Sequence, residues 1–216
     1  MIAILSDIHS NLEALTIALD SLAGEDISAI YCTGDLVEYP EEANEVIDLI
    51  RQNQVKCVMG NNDCAYLDQL DCSDCPDESP GDSKRPWEEL TETNLTFLEQ
   101  LPAYLSEPKL YLVHALPPNS FLKYIDNQRE QSLLNAFESF SQQLAFVGHT
   151  HEYKIYELPS SGDIRRHDFV NPEFFLNPES RYIINAGTVG QARRLNHDLG
   201  YLLYDLEHQR IIRKLI

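Results

Sequence analysis

No stretch of the 216 residues approaches the ~20 consecutive apolar residues that a membrane helix needs, which excludes a helical membrane span. Basic residues are scarce too: 16 Lys and Arg stand against 35 Asp and Glu, a formal charge of −19. So acidic a chain repels nucleic-acid backbones and anionic membranes, and no extended nucleic-acid surface is expected. Only a local positive site, such as bound metal, would bring a phosphate to it. The five cysteines are an odd number and do not read as a disulfide framework. Cys32 and Cys57 sit in apolar runs and read as buried small hydrophobes. The N-terminal Met1-Ile-Ala-Ile-Leu-Ser-Asp7 has no basic leader and only a short apolar run. It reads as a core strand rather than a signal peptide, so a cytoplasmic chain is expected. Internal repeats and low-complexity tracts are lacking.

What is present is ordinary globular usage, 43% apolar and 24% charged, in a chain long enough for one substantial core. A single domain over residues 1–216 is expected. After the apolar run 2–5, Ser10 and Glu13 have capping-box spacing and open a helix with Leu12, Leu15, Leu19 and Leu22 on one side, closed by Gly24. Residues 29–32 form a strand pattern, Pro40 opens a helix holding Val46, Ile47 and Ile50, and 55–59 is another strand, a β-α-β-α-β opening with a parallel sheet. From Asn62 to Trp87 the composition turns to Asp, Ser, Pro, Gly and Cys without periodicity, which predicts a long surface loop, a Cys-containing insertion at about 63–87. Helical spacing returns at 88–101 and 129–140, with strand patterns at 109–113 and 143–147. Short strand patterns at 153–158, 166–170, 181–185, 201–206 and 211–215 predict a second, largely antiparallel sheet. Pattern alone thus gives an α/β chain with an antiparallel second half.

The polar clusters follow directly on the strands: Asp7-Ile-His9 after the first, Gly34-Asp35 after the second, Gly60-Asn-Asn-Asp63 after the third, His114 after Val113 and Gly148-His-Thr-His151 after Val147. In a parallel sheet these ends share one edge, where open α/β sheets bind their ligands. Any one of these residues alone is as well read as a helix cap or a satisfied polar group. Together they offer carboxylates, imidazoles and an amide oxygen, a mixture suited to Mn, Fe, Zn or Ni rather than to an all-oxygen Mg or Ca cage.

In this order and spacing, Asp7-x-His9, Gly34-Asp35, Gly60-Asn61, His114 and Gly148-His149-x-His151 resemble the signature blocks of the calcineurin-like metallophosphoesterases, over nearly the whole chain. The glycine that usually follows the fourth block's histidine is Ala115 here. The resemblance implies a four-layer α-β-β-α sandwich of two mixed sheets. It implies two divalent transition-metal ions, manganese foremost, with Asp7, His9 and His151 on one, Asn61, His114 and His149 on the other, and Asp35 bridging. Such a pair binds a bridging hydroxide and clamps phosphate oxygens during in-line attack. The substrate implied is a small phosphate ester or nucleotide.

One departure bears on chemistry. The family's Gly-Asn-His-Asp/Glu motif carries a histidine that stabilises the transition state or protonates the leaving group, and here that position is Asn62. An amide donates a hydrogen bond but delivers no proton at neutral pH, and general acid catalysis is worth ~10²–10⁴-fold, most for poor leaving groups. Diesters and phosphoanhydrides, dinucleoside polyphosphates among them, are therefore expected over alkyl monoesters. The plainer reading of Asn62 is a turn residue. His9 is an ionisable group that could partly replace the missing acid, against its work as a metal ligand. The segment from Asn185 to Gln191 followed by Arg193 resembles the Asn-Pro-Gly-Ser-Val-Gly-Gln-Pro-Arg segment of small bacterial relatives, which makes Arg193 the candidate phosphate contact. Cys64, Cys72 and Cys75 could form a zinc clip for the insertion, set against ordinary thiols. His167, His197 and His208 read as surface or packing residues. Two alternatives stay open: a phosphomonoesterase or serine/threonine-type protein phosphatase, and a non-catalytic metal-binding scaffold of the kind the retromer subunit of this fold provides.

Overall fold

The structure is a computed structural model and describes residues 1–67, 89–193 and 198–216. Its strands are β1 (Ile2–Leu5), β2 (Ala29–Cys32), β3 (Lys56–Cys57), β4 (Tyr104–Ser106), β5 (Tyr111–Val113), β6 (Leu144–Val147), β7 (Tyr153–Leu158), β8 (Arg165–Asp168), β9 (Glu173–Phe175), β10 (Arg181–Ala186), β11 (Gly200–Asp205) and β12 (Arg210–Leu215). The helices are α1 (Leu12–Leu22), α2 (Ala43–Gln52), α3 (Asn61–Tyr66), α4 (Glu92–Glu99) and α5 (Glu130–Glu138). Among the described residues no helix is long and apolar enough to cross a membrane.

The strands form two six-stranded mixed sheets, β3-β2-β1-β11-β12-β9 and β4-β5-β6-β10-β7-β8. Alternation along each central strand decides what it packs on. Ile2 and Ile4 of β1, with Leu202 and Tyr204 of β11, face Leu144 and Phe146 of β6 and Tyr182 and Ile184 of β10 in the core between the sheets. Ala3, Leu5, Tyr201 and Leu203 point the other way and bury Leu15, Ala18 and Leu22 of α1 and Val46, Ile47 and Ile50 of α2. On the far side Val113, Ala145, Val147 and Ile183 cover Leu133, Ala136 and Phe137 of α5. The result is the four-layer α-β-β-α sandwich. Each fully buried Leu, Ile or Phe in these layers contributes roughly 1.5–3 kcal/mol over its exposed state.

Three expectations are corrected. The C-terminal strands do not make a sheet of their own: β11 pairs antiparallel with β1 and carries β12 and β9 into the first sheet, while β10 lies parallel to β6 in the second. The α1 cap is Asn11, whose side chain accepts from the Ala14 amide at 3.0 Å, and not Ser10, whose hydroxyl is drawn away to donate to the Tyr39 carbonyl at 2.7 Å. The segment after β3 is not loop from Asn62 on: Asn61–Tyr66 is helical, and Asp63, Cys64 and Tyr66 are buried in it. Burial pushes the Cys64 thiol up to about 12, so it stays protonated at neutral pH unless a metal takes its proton. Cys72 and Cys75 lie outside the described residues, as does His197. His167 and His208 pair with Glu157 and Asp205, each at 2.9 Å, as local structural contacts.

Candidate metal centre

The polar clusters converge because the carboxyl ends of β1, β2 and β3 in one sheet and of β5 and β6 in the other open on the same edge. Backbone bonds tie the loops together: Asp7 N–H donates to Gly34 O at 3.1 Å, Ile8 and His9 N–H to Asp35 O at 2.8 and 3.0 Å, and Gly148 N–H to His114 O at 2.8 Å. Asp7, His9, Asp35, His149 and His151 all have positive φ, between 50° and 68°. A non-glycine residue there costs on the order of 1 kcal/mol, and the surrounding structure must hold it. Side chains at such positions turn off the strand ends and point back into the cleft. Glycines make room: a Cβ at Gly60 would collide with the Asp35 carboxylate, and one at Gly148 with Ser6 Oγ and Asp7 Oδ2.

Two ligand groups result, Asp7 with His9 and His151, and Asp35 with His114 and His149, all buried, the ligand atoms of each within 4.8 Å of one another. In the first, His151 Nε2 stands 3.2 Å from Asp7 Oδ1 and 3.0 Å from His9 Nε2. In the second, His114 Nε2 lies 3.4 Å from Asp35 Oδ2 and 2.9 Å from Asn61 Oδ1. Asp35 Oδ2 is also 3.8 Å from His9 Nε2, between the two groups.

The outer ring nitrogens fix which atoms face inward. His114 Nδ1–H donates to the Thr33 carbonyl at 2.9 Å and His151 Nδ1–H to the Gln191 carbonyl at 2.5 Å, leaving both Nε2 lone pairs in the cleft. His149 is reversed: Nε2–H donates to the Leu122 carbonyl at 3.2 Å, and its buried Nδ1 has no hydrogen-bond partner among the described residues. The His114 lone pair therefore faces the Asn61 carbonyl oxygen, acceptor against acceptor. Such contacts are unfavourable unless a cation lies between them, so the residues present fit divalent metal ions.

Electrostatics agree. Burial pushes against ionisation of Asp7, yet the rings of His151 and His9 hold its carboxyl well below the usual carboxylate range. Burial likewise disfavours charged His9, but Asp7, Glu38 and Asp35 outweigh it and raise the imidazole to about 10. Both shifts favour positive charge beside Asp7 and Asp35, the sign that a bound cation would supply. His149 is pulled down to about 3, by burial first and then by His114, with Arg193 adding to the effect, which leaves its ring neutral and able to ligate.

The expected ligands Asp7, His9, Asp35, Asn61, His114, His149 and His151 lie at this edge, as do Asn62 and Arg193. Asn62 does not merely turn the chain: its amide Nδ2 donates to Asp35 Oδ2 at 2.9 Å and its backbone N–H to Asp35 Oδ1 at 2.8 Å. Arg193 donates through Nη1 to the Tyr124 hydroxyl at 2.9 Å, and the Tyr124 ring lies 4.1 Å from that of His149. Three further residues were given no role by sequence reasoning. Glu38 accepts from His9 Nδ1 at 3.0 Å and from Gln191 Nε2 at 2.8 Å, and so orients the His9 ring. Asp63 takes the N–H groups of Leu36, Val37 and Gly60 at 2.8, 3.2 and 2.8 Å, joining the β2 loop to the β3 loop. Tyr124 is the third. For Asp63 a signal existed, its place three residues after Gly60 at the start of α3; for Glu38 and Tyr124 none did.

The sequence profile of the calcineurin-like phosphoesterase superfamily domain matches residues 1–209. An uncharacterised protein of Methanocaldococcus jannaschii is 31% identical over 214 residues, 95% of this chain and 82% of that protein. Among solved structures, a metallophosphoesterase from Sphaerobacter thermophilus superposes with a TM-score of 0.78 at 29% identity, covering 100% of this chain and 87% of that one. A hypothetical protein from Pyrococcus horikoshii OT3 superposes with a TM-score of 0.70 at 20% identity, over 100% of this chain and 88% of that one. With the profile spanning nearly every residue and two buried ligand groups at the shared strand edge, this chain belongs to the calcineurin-like phosphoesterase superfamily and is a metal-dependent phosphoesterase.

Proposed function

We propose that the chain is a two-metal phosphohydrolase that cleaves phosphodiester or phosphoanhydride bonds of small substrates, with manganese the metal that best suits the donors. Asp7, His9 and His151 would hold one ion, Asn61, His114 and His149 the other, and Asp35 both. The observation that supports this reading is the position of Asp35 Oδ2, 3.8 Å from His9 Nε2 and 3.4 Å from His114 Nε2, within reach of a ligand from each group. When bound, the two cations supply an activated water and neutralise charge on the phosphate. The protein's own part is to aim the ligands and to exclude competing groups. Asn62 offers an N–H at the mouth of the site that can bond a phosphate oxygen, and Arg193 adds a cation near His149. Neither gives up a proton at neutral pH, so the leaving group must depart as a stable anion. Phosphoanhydrides and aryl diesters meet that condition and alkyl monoesters do not.

The test is hydrolysis by manganese-loaded protein of bis-p-nitrophenyl phosphate, a dinucleoside tetraphosphate and an alkyl monoester. Diester or anhydride turnover should dominate and fall by more than about 100-fold in Asp35→Asn. Asn62→His should raise monoester turnover by about 10-fold or more, part of what a general acid supplies. A wild type that prefers monoesters would refute the proposal. Loaded metal without turnover on any phosphate would instead favour a scaffold.

A further inference from the structure

Resting on that reading, we infer that the cavity beside the second ligand group receives the departing part of the substrate, and that this part is a nucleoside phosphate whose base stacks on Tyr124 while its phosphate meets Arg193. The cavity measures about 500 Å³, and Tyr124, Asp126, Asn127, Thr150, Glu152, Lys154 and Arg193 line it. That volume lies in the range of small-ligand sites. Tyr124 forms the boundary with the metal centre: its ring lies 4.1 Å from His149, and 37% of the residue is exposed.

The wall is held in place rather than loosely exposed. Leu122, two residues earlier, gives its carbonyl to His149 at 3.2 Å, the 3-10 turn Ile125–Asn127 follows directly, and the Tyr124 carbonyl accepts from Gln128 Nε2 at 2.8 Å. Arg193 holds the hydroxyl at 2.9 Å, with its guanidinium carbon 6.0 Å from the ring centroid. An aromatic face paired with a guanidinium suits a planar base bearing phosphate. Asn127 and Thr150 offer the neutral hydrogen-bonding groups that a ribose or base edge needs. Lys154 and Arg193 set two positive charges against the carboxylates of Asp126 and Glu152, and Asp126 is already engaged, accepting from the Tyr156 hydroxyl and facing Lys154 Nζ at 3.6 Å.

A pair of metal sites treats phosphates alike; discrimination must come from a neighbouring wall of this kind. In the reaction, water oxygen bonds to phosphorus, the P–O bond to the nucleotide breaks, the nucleotide leaves as an anion and the water proton passes to solvent. A nucleotide is a leaving group that Asn62 can accommodate.

The experiment compares a dinucleoside tetraphosphate with inorganic tetraphosphate, which has the same anhydride and no base, on manganese-loaded wild type, Tyr124→Ala, Tyr124→Phe and Arg193→Lys. Metal content is measured for each. Tyr124→Ala should raise KM for the dinucleotide by about 10-fold and for inorganic tetraphosphate by clearly less, while Tyr124→Phe, which keeps the ring and loses only the hydroxyl that Arg193 holds, should fall between wild type and Tyr124→Ala. Calorimetric titration with adenosine monophosphate forms a separate arm that needs no turnover. If neither anhydride is cleaved but the nucleotide binds wild type and not Tyr124→Ala, the cavity assignment stands and the hydrolase reading falls. If Tyr124→Ala changes both substrates equally, or the nucleotide binds wild type and Tyr124→Ala alike or neither, the assignment is overturned.

Discussion

An amide at position 62 and a carboxylate at position 63 divide two tasks at the start of α3. Asn62 faces the cleft and touches Asp35 through both its side chain and its backbone N–H. Asp63 faces away, buried, with burial and the nearby Asp35 charge raising it to about 6. Its three accepted N–H bonds come from two separate loops, those of Leu36 and Val37 on one side and Gly60 on the other. Without them three buried donors lose their partners, each costing about 1–3 kcal/mol, offset in part by release of a buried charge. Asp63→Ala should therefore lower stability by roughly 2–3 kcal/mol, read as a lower urea midpoint in chelator at pH 7. An unchanged midpoint would mean that the loops hold each other without it. The same residues mark the limit of sequence reading. Asp7, Asp35, His114, His149 and His151 stood out as polar clusters closing apolar runs, but their place as ligands came from the likeness of the whole ordered set to the family's signature blocks. Glu38 was not, because its partner His9 is 29 positions away and only the pairing of β1 with β2 brings them within 3.0 Å.

At the level of elements, burial on both faces explains what was legible and what was not. The central strands β1, β5, β6 and β11 are buried throughout, so their existence was plain while their sheet membership was hidden; nothing in the residues of β11 says that it joins β1 rather than β10, and the short exposed edge strands β4 and β9 gave no pattern to read. Ser10 shows the same override locally, since its positive φ of 57° and its bond to Tyr39 take it away from the helix it was expected to cap. Where a hairpin carries its own polar closure, a sharper expectation is possible. Asp205, at the end of β11, accepts from the N–H groups of Glu207 and His208, each at 3.2 Å, and from Arg210 Nε at 3.0 Å. Burial opposes its charge, but the His208 N–H, Arg210 and the His208 ring hold it down at about 2, below its ordinary 3.8. A depressed carboxylate contributes stability that is fully present above its unfolded value and is lost as pH falls through the folded one. The stability gap between wild type and Asp205→Asn should therefore be constant above about pH 4 and narrow between pH 4 and 2, as followed by urea midpoints. A gap that widens on acidification would show that the carboxylate does not close the hairpin.

The whole molecule carries a formal charge of −19 and gathers Asp7, Asp35 and Asp63 at one buried edge. Five of the candidate ligands hold left-handed backbone there, at on the order of 1 kcal/mol each. Folding without a cation thus opposes both the charge and the backbone preference of the same loops, and only the layers behind them compensate. Binding metal to the folded state alone shifts the balance by about 2.7 kcal/mol per site at 100 times the dissociation constant. For a chain of this length that corresponds to a rise in Tm of roughly 5–10 °C per occupied site. Manganese should therefore raise Tm in scanning calorimetry, EDTA should return it to the metal-free value, and the difference should shrink sharply in Asp35→Asn, whose carboxylate lies between the two groups. Because the comparison is made within one protein, defects in folding of the variant cancel. Equal transitions with and without manganese in wild type would mean that the ligand groups do not close on an ion, and the site would lose the chemistry assigned to it.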